Sequence, residues 1–481
     1  MKKFLAILLA TIMSVMLAVS CTGGGIPGNS TVNSTGDSHS SAGGGESLDG
    51  GIEVDDKNAA VTLSIGIPGT NDNEKSMIEC LLDGFNDEYP NVKLSYKTLM
   101  INTYGSNIQR LASSQNLPDI IWTNSPDIYE VYGYMEPLDK YIEASDAAGH
   151  FGEEGYANSF YTEYFDMGKV NDAIYAVPRS CDCVVTFYRK DWFEAAGVDM
   201  TKVKNGWTWD DMLEACAKLR AWLDKPEIGM SGVYCLEPNL TSWLSTSVPM
   251  LSSLGSEVID EKGNNVIAND GTKETLNLLR DMVSKRYIPD SQVTVGSGFE
   301  QGSCAMYFQS MAISQLANKA VFKGKDNLDL VTFPLIGKEA DGEKDYTNAK
   351  IGAGIAGYCI SKTSKNKKLA WAFLRYLLSQ EGQQTMALNG LNLASIRKDL
   401  ADPKISNWGK GYENLNLEAY SWGSEYKMCP EFFKYAPIAA KKSIDTAVRE
   451  LFNDGTNMKL TVDKAISNCK EAIDEAYATV E

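Results

Sequence analysis

The residue types that could do covalent chemistry are thinly placed in this chain. Glycoside hydrolysis needs two carboxylates about 5 to 9.5 Å apart, and 63 acidic residues supply such pairs by chance. No local signature picks one out. A Ser-His-Asp arrangement would have to use His150, since the other histidine, His39, lies in a polar, structureless stretch. No nucleophile-elbow motif accompanies it, and no Walker loop for phosphate is present. Two histidines also argue against zinc chemistry, so neither a metal nor a cofactor is expected. Of ten cysteines, most sit among apolar neighbours, as in Ile-Glu-Cys-Leu-Leu around Cys80, and read as buried free thiols. The Cys-x-Cys at Cys181 and Cys183 is too short for the usual redox motif. The expectation is a binding protein, not an enzyme.

Length and charge bound what positions a site. Single cores stop growing near roughly 250 to 300 residues, so 481 residues imply two lobes. A composition of 43% hydrophobic and 22% charged residues is that of a globular protein, neither disordered nor membrane-embedded overall. The formal charge of −18 repels phosphate backbones and excludes nucleic acid as a partner.

The first residues carry an address. Lys2 and Lys3 precede an apolar run over residues 4–19, so residues 1–20 read as a signal peptide. Ala18-Val19-Ser20-Cys21 resembles a lipobox, in which the Cys21 thiol receives a diacylglyceryl chain; an ordinary signal peptide cut nearby is the alternative. Residues 21–57 are rich in Gly, Ser, Thr, Asn and Asp. They read as a flexible tether with a reach on the order of 30 Å. The protein is expected at the outer face of the cell membrane, lipid-anchored.

Past the tether, strand and helix patterns alternate. Residues 61–67 read as a strand, 68–73 as a polar loop, and 76–89 as a helix with Met77, Leu81, Leu82 and Phe85 on one face. A strand over 92–97, a helix over 104–113 and a strand through Ile120 and Ile121 follow. This is a βαβ pattern with a mostly parallel sheet. Ligands collect beyond the carboxyl ends of such strands, an edge that the loops at 71–73 and 122–127 would share. Further on, 184–188 is a short β-branched and aromatic strand. Pro178 makes its approach extended, and the chain is expected to cross between two bodies there.

Ordered segments then carry a resemblance. They are Leu117-Pro118-Asp119-Ile120-Ile121-Trp122 with Glu136-Pro137-Leu138-Asp139, Ile174-Tyr175-Ala176-Val177-Pro178 with Phe187-Tyr188-Arg189-Lys190-Asp191-Trp192-Phe193, Thr208-Trp209-Asp210-Asp211-Met212, Gly302-Ser303-Cys304-Ala305-Met306, and Ser361-Lys362-Thr363-Ser364-Lys365-Asn366 with Ala370-Trp371-Ala372-Phe373-Leu374. Their succession resembles the extracellular solute-binding proteins of ABC transporters, family 1, of the maltose and oligosaccharide type. The resemblance implies an α/β, two-lobed periplasmic-binding-protein-like fold with interlobe hinge crossings and a central ligand cleft. Residues 58–179 plus 336–388 would form the N-terminal lobe and 184–330 plus 397–481 the C-terminal lobe, with crossings at 180–184 and 331–335. A monomer would capture a sugar or oligosaccharide and hand it to ABC permease subunits. The alternatives are a cell-surface polysaccharide adhesin or a secreted glycoside-active enzyme.

A pyranose offers hydroxyls in a plane and apolar C–H faces, so its site needs planar polar side chains and aromatic platforms. Position nominates Asn71 and Asp72 on the first loop, and Trp122, Asn124 and Asp127 on the loop after the third strand. Within the resemblance, Glu237 matches the acid of a Glu-Pro-aromatic contact, Asn239 stands where the aromatic would be, and Trp243 follows. Gln309, Trp422, Phe432 and Tyr435 complete the set. Asp182, in the first crossing, is expected to face the cleft, with Cys181 and Cys183 pointing away. Simpler roles compete: Trp122 as core, Asp127 as a helix cap, Asp119 as a turn-fixing residue, Arg179 as partner of a surface carboxylate, and Trp209 and Trp371 as core packing.

Overall fold

The computed structural model describes residues 51–481, except 70–71, 101–102, 125–130, 239–243, 294–297, 324, 388–391, 407, 425–427, 429–432 and 481; at 72 and 73 it describes the backbone alone. Leu63, Ile65 and Ile67 alternate and are buried in β1 (Thr62–Pro68), the period of a strand with a covered face. α1 (Asp72–Glu88) begins four residues earlier than predicted, so part of the expected polar loop is helix. Its Met77, Leu81 and Phe85 form the buried stripe, and Phe85 stacks on Tyr89 at 4.4 Å. β2 (Lys93–Leu99), α2 (Tyr104–Ser113) and β3 (Ile120–Asn124) follow in the predicted order.

The chain continues through α3 (Thr162–Asp166), β4 (Val177–Pro178), β5 (Asp182–Cys183) and β6 (Val185–Arg189). α4 (Trp209–Leu223) starts from a capping box between Thr208 and Asp211, which satisfies two orphan helix donors. β7 (Tyr234–Leu236), β8 (Cys304–Gln309), β9 (Leu328–Thr332), β10 (Ala353–Gly354) and β11 (Ala356–Ile360) supply the remaining strands used below. Helices α5 (Lys367–Leu378) and α6 (Glu418–Ser424) come after them.

Two large sheets result. The first has the order β2-β1-β3-β11-β4, and the second β9-β6-β8-β7. β1 runs parallel to β2 and β3, whereas β11 is antiparallel to β3 and β4. In the second sheet β6 is antiparallel to both β8 and β9, and only β7 joins in parallel. The sheets are therefore mixed, not mostly parallel. β6 is buried along its whole length, as its β-branched and aromatic composition predicts.

The chain leaves the first sheet after Pro178 and enters the second at Val185. β9, which ends at Thr332 inside the expected crossing of 331–335, still pairs in the second sheet, and β11 is the first strand back in the first. The two passages touch: β5 pairs with β10, Cys183 opposite Ala353 and Asp182 opposite Gly354. A two-stranded ribbon thus links the sheets.

Residues 51–57, expected within the flexible tether, lie against the folded body. Ile52 is buried, and Glu53 bridges Arg375 at 2.8 Å and His150 at 3.1 Å. The Arg375 hydrogen bond pulls the Glu53 pKa below the usual carboxylate range. Asp55 pairs with Lys368, and Lys57 with Glu88. Trp209 and Trp371 are core residues as predicted, Trp371 donating to buried Ser145 at 2.9 Å. Asp119 fixes a turn: it accepts from the Ser64 amide and hydroxyl, from Ser364 and from Asn366. No helix among the described residues is long and apolar enough to cross a membrane.

Candidate functional site

The first sheet gathers a buried charged cluster beyond the carboxyl end of β1. Glu74, in the first turn of α1, is 1% exposed and accepts from the Tyr358 hydroxyl of β11. Arg179, just past β4, brings Nε to 3.3 Å from the same carboxylate. Its alignment there makes a charge pair without a hydrogen bond. Its Nη1 donates to Ser180 Oγ at 3.1 Å, and Ser180 Oγ donates to Asp182 Oδ1 at 3.1 Å. Burial raises the Asp182 pKa to about 6, against the opposing pull of Arg179 and Ser180. Burial also opposes the charge on Arg179, but Glu74 and Asp182 outweigh it and push that pKa up. Burial, reinforced by Glu74, raises the Tyr358 phenol.

Arg179 is therefore no partner of a surface carboxylate; it pairs with one of the most buried acids in the protein. Glu74 and Tyr358 were not nominated from sequence. A carboxylate in the first turn of the helix after β1 was the available signal for Glu74. Tyr358 lies in the apolar run Ala356-Gly357-Tyr358-Cys359-Ile360, where nothing distinguishes it from a core residue.

Trp122 and Asn124 lie inside β3, not on the loop after it. Trp122 is 6% exposed and packs edge-on against Tyr104 at 5.4 Å, so the competing expectation of burial is met. Yet Trp122 Nε1 and Asn124 Oδ1 are buried atoms without a hydrogen-bond partner. Two residues apart on one strand, they share a face, and Trp122 stands opposite Tyr358 in register. A buried, unmade hydrogen bond costs about 1–3 kcal/mol.

Asp182 and its flanking cysteines alternate as predicted. Asp182 faces the Arg179 cluster. Cys181 Sγ donates to the Ser395 carbonyl at 2.9 Å, and Cys183 Sγ abuts Gly423 of α6, where a Cβ would come within 2.2 Å of the sulfur. Beside the thiols, Tyr164 of α3 shares a 2.9 Å hydrogen bond with Ser424. Burial pushes the Cys183 thiol up to about 12, so it is unreactive at neutral pH.

The second sheet builds a different edge. Glu237 follows β7; its amide donates to the Met306 carbonyl at 3.0 Å, and its carboxylate accepts from the Phe299 amide at 2.8 Å. Burial raises its pKa against that bond. Gln309 and Tyr307 alternate with buried Met306 and Phe308 along β8, and Gln309 Nε2 donates to the Tyr307 hydroxyl at 2.9 Å.

Trp422 of α6 is half-buried, its indole packed where a Gly206 side chain would extend. Tyr435 is exposed, with Lys434 Nζ 5.7 Å from its ring centre. Asn71, Asp127, Asn239, Trp243, Phe432 and Cys21 lie outside the described residues, and for Asp72 the backbone alone is described, opening α1. Among the described residues no group of three or more His, Cys, Asp and Glu side chains could hold a metal ion.

Comparison with known proteins places the chain among others of the same fold. The chain is 22% identical over 311 residues to the arabinooligosaccharide-binding protein of Halalkalibacterium halodurans, covering 62% of this chain and 64% of that protein, slightly under two thirds of the relative's length. It is 22% identical over 395 residues to the multiple sugar-binding protein of Streptococcus mutans, covering 78% and 86% of the two chains. The fold matches that of the sugar-binding protein MalE from Xanthomonas citri with a TM-score of 0.67 at 17% identity, covering 87% of this chain and 98% of that one. Residues 69–384, more than half of the chain, match the bacterial extracellular solute-binding protein family, and the protein is accordingly a member of that family.

Proposed function

We propose that this protein captures a sugar or oligosaccharide at the edges of its two sheets and delivers it to the permease of an ABC transporter, held at the outer membrane face by a lipid on Cys21. The observation that carries the reading is the pair on β3: a buried donor, Trp122 Nε1, and an acceptor, Asn124 Oδ1, neither with a protein partner. A sugar hydroxyl both donates and accepts, so neighbouring hydroxyls of one pyranose satisfy both atoms. The names of the two curated relatives, one for arabinooligosaccharides and one for multiple sugars, support the same solute class.

In this reading Asn71, Asp72, Trp122, Asn124 and Asp127 bind from the first sheet, and Glu237, Asn239, Trp243 and Gln309 from the second. Asp182 acts at the ribbon between them, and Trp422, Phe432 and Tyr435 serve as platforms. Lobes of 58–179 plus 336–388 and 184–330 plus 397–481 would rotate about the β5–β10 ribbon, because a hinge rotation closes a cleft without disturbing either core.

Calorimetry against a panel of mono- and oligosaccharides tests the solute class. Saturable binding with quenching of tryptophan fluorescence is expected, with quenching reduced in Trp122→Phe. Turnover of a glycosidic substrate without simple binding would overturn the reading. Cys21→Ala is expected to release the protein into the medium; unchanged membrane retention would remove the anchor.

A further inference from the structure

Eight cysteines are free among the described residues, and seven of them are buried. Their geometries are not equivalent. Cys181 and Cys183 sit two residues apart on extended chain with side chains parallel, which holds their Cβ atoms roughly 6.5 Å apart, beyond the roughly 3.5–4.5 Å that a disulfide needs. Cys304 is in register with Tyr234 across the β7–β8 pair, so the pleat turns its side chain to the face opposite Cys235.

Cys216 and Cys235 differ from the rest. Cys216 lies in the middle of α4 and Cys235 at the centre of β7, both fully buried. The Cys235 thiol donates to the Cys216 carbonyl at 3.4 Å, which seats that sulfur directly against Cys216. A helix and the strand it packs against thus bring two cysteines into direct contact.

We propose that Cys216 and Cys235 are an oxidisable pair that closes to a disulfide, linking α4 to β7, on reaction with a low-molecular-weight disulfide such as glutathione disulfide. One cysteine thiolate attacks a sulfur of glutathione disulfide, forming a mixed disulfide and releasing one glutathione thiolate. The second cysteine attacks the protein sulfur of that mixed disulfide and releases the other. The protein loses two electrons and two protons, and glutathione disulfide gains them as two thiols. β7 is the edge strand of its sheet, and Glu237 follows it directly. The bridge would therefore pin the strand that presents Glu237, whatever solute the protein binds.

Both thiols are buried, and burial raises the Cys216 pKa. Exchange then waits for β7 to open at its outer edge, where the Cys235 and Leu236 amides donate to the Tyr287 carbonyl at 2.9 and 3.0 Å, and it speeds up in sub-denaturing urea. The test uses the wild-type full chain, incubated with glutathione disulfide with and without sub-denaturing urea, alkylated under denaturing conditions and peptide-mapped. The expected result is a reductant-sensitive peptide joining Cys216 to Cys235, two hydrogens lighter than the separate pair, forming faster in urea. Absence of that peptide in both conditions, a bridge between other cysteines, or a glutathione adduct on Cys216 or Cys235 that never resolves would each overturn the proposal. Cys216→Ala should leave Cys235 reduced or glutathionylated; a bridge from Cys235 to another cysteine in that variant would show that the pairing is not set by the α4–β7 geometry.

Discussion

The edges of the two sheets handle buried carboxylates in opposite ways. On the first, Glu74 and Asp182 surround a guanidinium, and every member hangs on another: Tyr358 on Glu74, Arg179 on Ser180, Ser180 on Asp182. On the second, Glu237 has no cation among its described contacts and is held by backbone amides, Phe299 and Gly298, while Gln309 and Tyr307 form a neutral pair. The difference concerns robustness. A charge network in a low-dielectric site is specific but fails badly when one member is removed. A carboxylate held by backbone amides alone, with its pKa raised by burial, can lose its charge at little cost.

The largest expected effect follows from breaking the first edge. Glu74→Ala leaves Arg179 charged and under-compensated, and is expected to cost about 3–5 kcal/mol, read as a fall in the urea midpoint. Removing both charges, as in Glu74→Gln with Arg179→Met, should recover most of that loss; equal destabilisation in the double variant would mean that packing, not charge, holds the cluster.

Asp182→Asn sharpens the contrast through pH. The folded pKa of Asp182, about 6, lies above its ordinary value of 3.8. The associated stability is present below about pH 4 and is lost as pH rises through 6. The stability of the wild type relative to the Asn variant should therefore fall by on the order of 3 kcal/mol between pH 4 and pH 7. A pH-independent difference would show that Asp182 ionises normally.

Glu237→Gln should do least. The amide oxygen still accepts from Phe299, and the raised carboxylate pKa means that charge is unfavourable there. A change under about 1 kcal/mol in favour of the variant is expected at neutral pH. A large loss would show that the second edge depends on charge as the first does.

Much of this was legible in residue order. The alternation in β1, the apolar stripe of α1 and the β-branched run of β6 each lie within one element, so their burial follows from local period. The Asp182 alternation with Cys181 and Cys183 was legible for the same reason. The ends of elements were less so. The end of the polar run before α1, from Asp72 on, became helix, and Trp122 became strand because pairing with Tyr358 extended what local signals would have stopped. Ile52 and Glu53 looked like tether, since their composition matches the stretch before them; the partners that hold Glu53, Arg375 and His150, are far along the chain.

By itself the sequence determined the α/β class, the succession of strands and helices, the core tryptophans Trp209 and Trp371, and a family resemblance that the comparison confirmed. These rest on periods of two and of about three and a half residues, or on motifs a few residues long. Only the tertiary structure decided which charges meet. Glu74 and Tyr358 are 284 residues apart, and Arg179 reaches Glu74 because β4 and β11 are neighbours in one sheet. Pairing at that range depends on strand order and depth of burial, which no local pattern encodes.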